Sequence, residues 1–554
     1  MRKPLDDTAA HNILTRLKAH EFEAVAVCLM WSIMNPDHEQ AIGRMIEKIL
    51  PGVPYTLSHE LVPIIREYRR ASATAIDASL KPLMQEHLRQ MESDLRGAGY
   101  SGETLVSTAV GGCMHVEELA ERPIHTVKSG PAMAPVAGLN YARIENFGSD
   151  VIICDTGGTT FDVGLVRDGE IKYTRDTWIG PQWTGDILAI SSVDVRSIGA
   201  GGGSIAWIDK GGMLRVGPES AGADPGPACY GAGGTKATVT DANVTLGRIN
   251  PDYFLGGAMQ LDKIAAESAM HTVAKELGRS PAETALAVIQ IANNNMVGAL
   301  RSVLIERGLD PRDFSLLGFG GAGPLHIADL MNDAGIPSGI VPNYPGQFSA
   351  FGFILTDARV DTMRTVQMTS KRFDQARATE VMQALIKTGI GDLTAQGYGK
   401  NVEIHRSLEM RYLGQNYELE IPISFDNFTD ETTPQLWQAF HDMHLARFGF
   451  NIPREVIEVI TVKATTVSLT EKPEFATIGD SSGAAAEPAS RREVTFEDGL
   501  HDTPIYDRAD LREGHKFTGP AIVEEVASVT ILRPGQNLRV DAYGNLLIGK
   551  IAEE

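Results

Sequence analysis

The string Asp155-Thr156-Gly157-Gly158-Thr159-Thr160-Phe161-Asp162 has a carboxylate at each edge, two adjacent glycines and two adjacent threonines. That combination suits phosphate chemistry. Residues without a Cβ let backbone N–H groups come close to phosphate oxygens. Threonine hydroxyls add donors, and Asp155 and Asp162 can hold a hydrated Mg²⁺ or position an oxygen nucleophile. A second turn, Gly318-Phe319-Gly320-Gly321-Ala322-Gly323-Pro324, feeds a helix start, where unpaired N–H groups and the helix dipole favour an anion. No GxxxxGK[ST] string occurs, which excludes a P-loop. Asp241 in VTDAN either faces the same cleft or caps a turn. Two glycine-dense loops, 198–204 and 217–234, make Asp194, Ser204 and Asp224 candidates for the substrate side, with a plain glycine connector as the alternative.

Elements must position these turns. Residues 151–154 are an apolar strand running into the first turn, a second strand follows Phe161, and Asp168-Gly169 turns the chain again. Residues 315–330 read as strand, glycine turn and helix. Between them Ser280, Pro281 and Glu283 supply the N-cap, first-turn proline and capping-box acid of a long helix, which Gly308 and Pro311 stop. Residues 1–100 alternate helix and strand: an amphipathic helix over 7–20, a buried strand over the apolar run 24–34, a helix over 36–50 and a long helix over 72–99. Ser129-Gly130-Pro131 opens another helix. After residue 360 the pattern is β-rich, with a hairpin over 408–421 around Gly414 in which Arg411 pairs with a carboxylate. Residues 470–490 read as a linker and 491–554 as short alternating strands. The class is α/β.

Composition narrows the partners. The 554 residues include 50 Lys plus Arg and 71 Asp plus Glu, a net charge of −21, and no basic stripe offsets it. Nucleic acid and anionic membrane surfaces are therefore excluded as expected partners. Four well-separated cysteines without a CxxC pair fit a reduced, cytoplasmic protein without structural zinc. The N-terminus has no apolar signal core, and the run 24–34 is about half of a membrane span. The histidines form no HxxxH or HExxH cluster, and His326 reads as an ordinary surface or core residue.

The strings IREYRRASAT (65–74), SGPA (129–132), CDTGGTTFDVGLV (154–166), SIGAGGGSIAW (197–207), VGPESAGADPGPACYG (216–231), TDANVTLGR (240–248), GFGGAGPLH (318–326) and MRYLGQNYELEIP (410–422) carry a resemblance. The first turn resembles the second phosphate hairpin of the actin, sugar-kinase and heat-shock-chaperone superfamily. The 315–330 segment resembles that superfamily's adenosine-binding turn. Taken in order, the strings resemble the hydantoinase A/oxoprolinase family, whose relatives include acetone and acetophenone carboxylase subunits.

The resemblance implies a two-lobed, actin- and sugar-kinase-like core with ATP and Mg²⁺ or Mn²⁺ as cofactors. Gly157, Gly158, Thr159 and Thr160 would cradle phosphates, and Asp155 and Asp162 would be catalytic. Asp155, Asp162 and Asp241 would hold the metal, and Gly318, Gly320, Gly321 and Gly323 would lie against adenosine. Residues 1–145 would be the remainder of a first lobe, 146–360 the second lobe, 361–470 a mixed α/β region, 471–490 a linker and 491–554 a small β-domain. The family's first DxGGT hairpin precedes the point where this chain starts. Half of the phosphate clamp would then come from a small separate chain, or be missing by truncation or loss of ATP turnover. The implied reaction is ATP-dependent phosphorylation of a cyclic-amide carbonyl oxygen followed by hydrolytic ring opening, together with a larger hydantoinase B-like subunit. A ketone carboxylase subunit is the alternative on a small-molecule carbonyl substrate, as is a non-catalytic scaffold that retains the fold.

Overall fold

The computed structural model describes residues 3–144, 149–180 and 183–549, so the boundary expected at 145/146 lies outside the described residues. The chain forms two compact units. One comprises residues 1–129, 173–192 and 356–471, the other residues 130–172, 193–355 and 472–554.

The second unit is built on a nine-stranded sheet. Its order is Val195–Ile198, Phe161–Arg167, Val151–Thr156, Ser315–Phe319, Ser338–Val341, Leu546–Gly549, Asn537–Val540 and Lys516–Thr518, with Glu170–Ile171 paired to Phe161–Arg167. Val151–Thr156, Ser315–Phe319 and Ser338–Val341 run parallel. Both faces are covered, which is why the central strands read as continuous apolar runs. Ile152 and Cys154 pack with Met296, Leu300 and Ile327 from helices Pro281–Ile305 and Gly323–Ala334. Val151 and Ile153 pack with Ala134, Ala137 and Tyr141 of helix Ser129–Ile144. The capping box of helix Pro281–Ile305 forms as its sequence requires, Ser280 and Glu283 each accepting the other's backbone N–H.

The first unit has a six-stranded sheet ordered Leu419–Ile423, Val402–Tyr412, Ile457–Ser468, Ala358–Thr369, Cys113–His115 and Leu105–Ser107. Helices Gln375–Ala395 and Thr432–Phe448 cover it through Met382, Leu385, Leu436 and Phe440. The hairpin around Gly414 forms, and Arg411 pairs with Glu458 at 2.9 Å and Glu418 at 3.1 Å.

Several expectations change. The run 24–34 gives a strand only at Val25–Val27. Glu39 is fully buried and accepts the Leu29 N–H at 2.7 Å, which pulls the chain out of extended geometry and leaves Met30 and Trp31 exposed. The five consecutive segments expected from the sequence are regrouped. Strand Ala358–Thr369 pairs with Cys113, so residues 361–470 join the N-terminal segment. Residues 491–554 contribute strands to the nine-stranded sheet as well as a four-stranded sheet of their own, because Leu546, Leu547 and Ile548 are apolar on both faces and all buried. The 471–490 stretch packs Phe475 against Phe351 and Tyr141. Among the described residues no helix is long and apolar enough to cross a membrane, and the four cysteines form no disulfide.

Candidate functional site

The two glycine turns lie side by side. Strands Val151–Thr156 and Ser315–Phe319 are adjacent and parallel, with Phe319 in register with Asp155. The turns therefore leave the same end of the sheet from neighbouring strands, where ligands of α/β sheets bind. Ala322 N–H donates to Thr156 O at 2.9 Å. At Gly320 the backbone has φ +86°, and a Cβ would stand 2.5 Å from Thr156 O and closer still to Asp155 Oδ1. Only glycine permits that contact. Beside Gly321 is a recess lined by Tyr253, Phe254, Leu325 and Val526. Gly318 and Gly323 are buried, and a Cβ on Gly318 would meet Ile327 at 2.8 Å, so Gly318 serves the close approach of helix Gly323–Ala334 to its strand.

In the first hairpin Asp155 and Asp162 are directly opposed across strands Val151–Thr156 and Phe161–Arg167. Opposed residues of an antiparallel pair present their side chains on one face, so the two carboxylates are neighbours. Asp155 accepts the Ser349 hydroxyl at 3.1 Å, and Asp162 accepts that of Thr160 at 3.2 Å. Burial pushes the Asp155 carboxyl up to about 6, Ser349 opposes that rise, and the neighbouring Asp162 charge adds to it. Asp162 Oδ1 and Thr156 Oγ1 are buried without a hydrogen-bond partner. Gly157 N–H closes the turn on Thr160 O at 3.1 Å, and a Cβ on Gly157 or Gly158 would meet nothing within 4 Å. The hairpin tip therefore has open space above two glycines, exposed threonines at 159 and 160, and two unsatisfied buried oxygens at its base. These features fit a phosphate group with an accompanying cation.

The loop 198–204 holds this hairpin from behind. Gly202 and Gly203 donate their N–H groups to Gly157 O and Gly158 O at 3.0 and 2.6 Å. With those carbonyls engaged by the loop, the turn is pinned and its far side stays clear. A Cβ on Gly201 would strike Gly157 O at 2.7 Å and Thr159 N at 2.9 Å.

Three candidates have other work. Ser204 is buried and its hydroxyl accepts the Gly201 N–H at 2.9 Å, so it shapes the bracket loop rather than facing a substrate. Asp194 is ion-paired to Arg307, beyond the end of helix Pro281–Ile305. Asp241 is fully buried and accepts the N–H groups of Ala228, Cys229 and Thr238 and the Thr238 hydroxyl, at 2.8 to 3.2 Å. That carboxylate is saturated by capping. Among the described residues no group of three or more His, Cys, Asp or Glu side chains is arranged to hold a metal ion, so Asp241 does not complete a ligand set with Asp155 and Asp162. Asp224 is exposed in its loop. Sequence reasoning missed Ser349, and no local signal marks it, since it meets Asp155 from 194 positions away.

Two adjacent glycine turns at strand ends, with opposed carboxylates in one of them, define an α/β protein with a candidate phosphate-binding site. Residues 70–362 match hydantoinase/oxoprolinase, residues 366–548 the hydantoinase/oxoprolinase C-terminal domain, and residues 1–50 its N-terminal region. The chain belongs to the hydantoinase/oxoprolinase family. It is 35 % identical to the caprolactamase subunit alpha of Pseudomonas jessenii, over 97 % of this chain and 78 % of that one. It is 32 % identical to the acetophenone carboxylase gamma subunit of Aromatoleum aromaticum, over 99 % of this chain and 77 % of that one. The crystal structure of the ATP-dependent caprolactamase from Pseudomonas jessenii superposes with a TM-score of 0.86 at 34 % identity, covering 99 % of this chain and 80 % of that one.

Proposed function

We propose that this chain is the nucleotide-binding subunit of an ATP-dependent enzyme that phosphorylates the carbonyl oxygen of a cyclic amide, so that water can open the ring. The observation that carries this reading is the pair of opposed carboxylates, Asp155 and Asp162, on a glycine hairpin open to solvent at its tip. Amide resonance makes the ring carbon a poor electrophile, and an O-phosphoryl group removes that protection. Gly157, Gly158, Thr159 and Thr160 would bind phosphate oxygens through amides and hydroxyls. Gly318, Gly320, Gly321 and Gly323 would border the adenosine. Asp155 and Asp162 would hold Mg²⁺ or Mn²⁺, whose role is to neutralise charge on the transferring phosphoryl group. Ser349 would fix the Asp155 rotamer. The nine-stranded unit is then the second lobe of an actin- and sugar-kinase-like fold.

Similarity to a caprolactamase subunit supports a cyclic amide, and the acetophenone carboxylase relative favours a second reading, ATP-dependent ketone carboxylation. Both relatives are named as subunits, which supports a larger, hydantoinase B-like partner for this chain. Lack of disulfides suits the reducing cytoplasm. The test is ADP release by the chain with its co-purifying subunits, offered cyclic amides or ketones, with and without bicarbonate. Release that needs a cyclic amide and ignores bicarbonate supports the proposal. Release that needs a ketone and bicarbonate selects the second reading, and no release with either would leave a scaffold.

A further inference from the structure

Helix Thr432–Phe448 ends at Gly449, and the chain returns through residues 450–456 to strand Ile457–Ser468. Two histidines on that helix, His441 and His444, meet the returning loop and the turn after Tyr412, all inside the first unit. Tyr412 and His444 are buried, and His441 is half-buried. Hydrogen-bond direction fixes the protons among them. A backbone carbonyl only accepts, so His444 Nδ1, 2.7 Å from Phe450 O, carries a proton. Gln415 Oε1 accepts the Tyr412 N–H at 3.1 Å, which turns the Gln415 amino group toward His444 Nε2 at 3.2 Å. That nitrogen must therefore accept. The Ile452 N–H donates to the Tyr412 oxygen at 2.7 Å, so the Tyr412 proton goes to His441 Nδ1, also at 2.7 Å. Both rings are neutral in this arrangement, each with one nitrogen committed as an acceptor.

Adding a proton breaks the pattern at either ring. On His444 Nε2 it would face the Gln415 amino group, and that amide cannot turn over without losing the Tyr412 N–H. On His441 Nδ1 it would leave the Tyr412 oxygen between two donors and strand the Tyr412 proton without an acceptor. Burial already lowers the His441 pKa from its ordinary 6.5; the neighbouring Asp442 on the same helix opposes that, and His444 adds to it. From the hairpin the titratable group facing the pair is Tyr412, and the loop presents the Phe450 carbonyl and ring and the Ile452 amide. Among the described residues, these two loop bonds and a 3.5 Å contact from Asn451 Nδ2 to His441 O are the hydrogen bonds that tie residues 450–452 to the rest of the unit. The hold on the loop therefore passes through groups that a proton would disrupt.

We propose that Tyr412, His441 and His444 form an acid-released latch: the neutral rings hold loop 450–456 on the helix, and protonation of either ring frees it. A histidine that takes no proton while latched and titrates near 6.5 once free favours the open loop by about thirtyfold at pH 5.0. The proposal is independent of the nucleotide reading, because every residue it uses lies in the first unit and its test contains no nucleotide. The test is amide hydrogen exchange of the full chain at pH 7.5 and pH 5.0, with labelling times scaled to the intrinsic rate at each pH. The Ile452 amide should lose protection about tenfold or more between the two, while the amides of strand Ile457–Ser468 keep theirs. The double variant His441→Asn, His444→Asn keeps an acceptor for Tyr412 and a donor for Phe450 O, with no ring left to titrate. Its protection at Ile452 should be the same at both pH values, and thermal melting at pH 7.5 checks that it folds. Slow exchange of the imidazole C2–H in the unaltered chain follows each ring's titration without any variant, and one ring should titrate with the same midpoint as loop opening. Four results would overturn the proposal: unchanged protection in the wild type, an equal loss in the folded double variant, loop opening at a pH where neither ring gains a proton, or an equal loss along the strand.

Discussion

Asp155 meets opposing demands of stability and function. Its folded carboxyl titrates at about 6 against an ordinary 3.8, so the stability linked to it is fully present below about 3.8 and is lost as pH rises through about 6. At pH 8 the ionised, buried carboxylate costs on the order of 3 kcal/mol. Asp155→Asn keeps an acceptor for the Ser349 hydroxyl and removes that charge. The variant should therefore melt higher than wild type at pH 8, while losing Mg-ATP binding by about tenfold or more. A lower melting temperature at pH 8 would show that the charge is stabilised by something else. Asp155, Asp162 and the glycines between them were legible because their chemistry is contained in eight consecutive residues with strands on both sides. Asp194, Ser204 and Asp241 looked equally exposed to chemistry in the sequence. Asp194 was decided by Arg307, 113 positions away, which no local pattern announces. Ser204, by contrast, answers the Gly201 N–H three residues back, and Asp241 forms the capping box with Thr238 that the capping reading of VTDAN already allowed.

At the scale of elements, the hairpin depends on the loop behind it. The glycines of the two should respond to alanine in opposite ways. A Cβ at Gly201 collides with the backbone of Gly157, Gly158 and Thr159, which cannot move like a side chain. Gly201→Ala should cost roughly 1–3 kcal/mol in denaturant unfolding and distort the hairpin. A Cβ at Gly158 meets nothing, so Gly158→Ala should unfold like wild type yet bind Mg-ATP more weakly, because the methyl group occupies the approach to the turn. Equal stability of the two variants would contradict the bracket role of the loop. Helix Pro281–Ile305 and the strand-turn-helix around Gly320 were readable because caps, proline and apolar period are local signals. The 24–34 run was not, because a single buried carboxylate, Glu39, ends its strand from the following helix.

At the scale of the whole molecule, each unit is assembled from three separated stretches of chain, which a reading in consecutive segments does not anticipate. The pairing of Ile340 with Leu547 and of Ala358 with Cys113 sets the division, and neither pair is near in sequence. Inside the second unit His326 is fully buried, bonded to Asn293 at 2.7 Å, and held neutral. Burial, with Arg248 adding to it, lowers its pKa from 6.5 to about 4. Stability from this group is present above about 6.5 and is lost as pH falls toward about 4, by up to roughly 3 kcal/mol. Urea unfolding at pH 7.5 and pH 4.5 should show that loss, and His326→Gln should reduce it. An unchanged acid limb in the variant would assign the loss to other groups. The central claim is that the 155–162 hairpin binds nucleotide, and calorimetric titration of Mg-ATP tests it most directly. It would use the chain with its co-purifying subunits, as wild type, Asp155→Asn and Gly158→Ala. The account predicts one site in the wild type, weakened about tenfold or more in both folded variants. Wild-type affinity in both variants, or no binding in any sample, would contradict it.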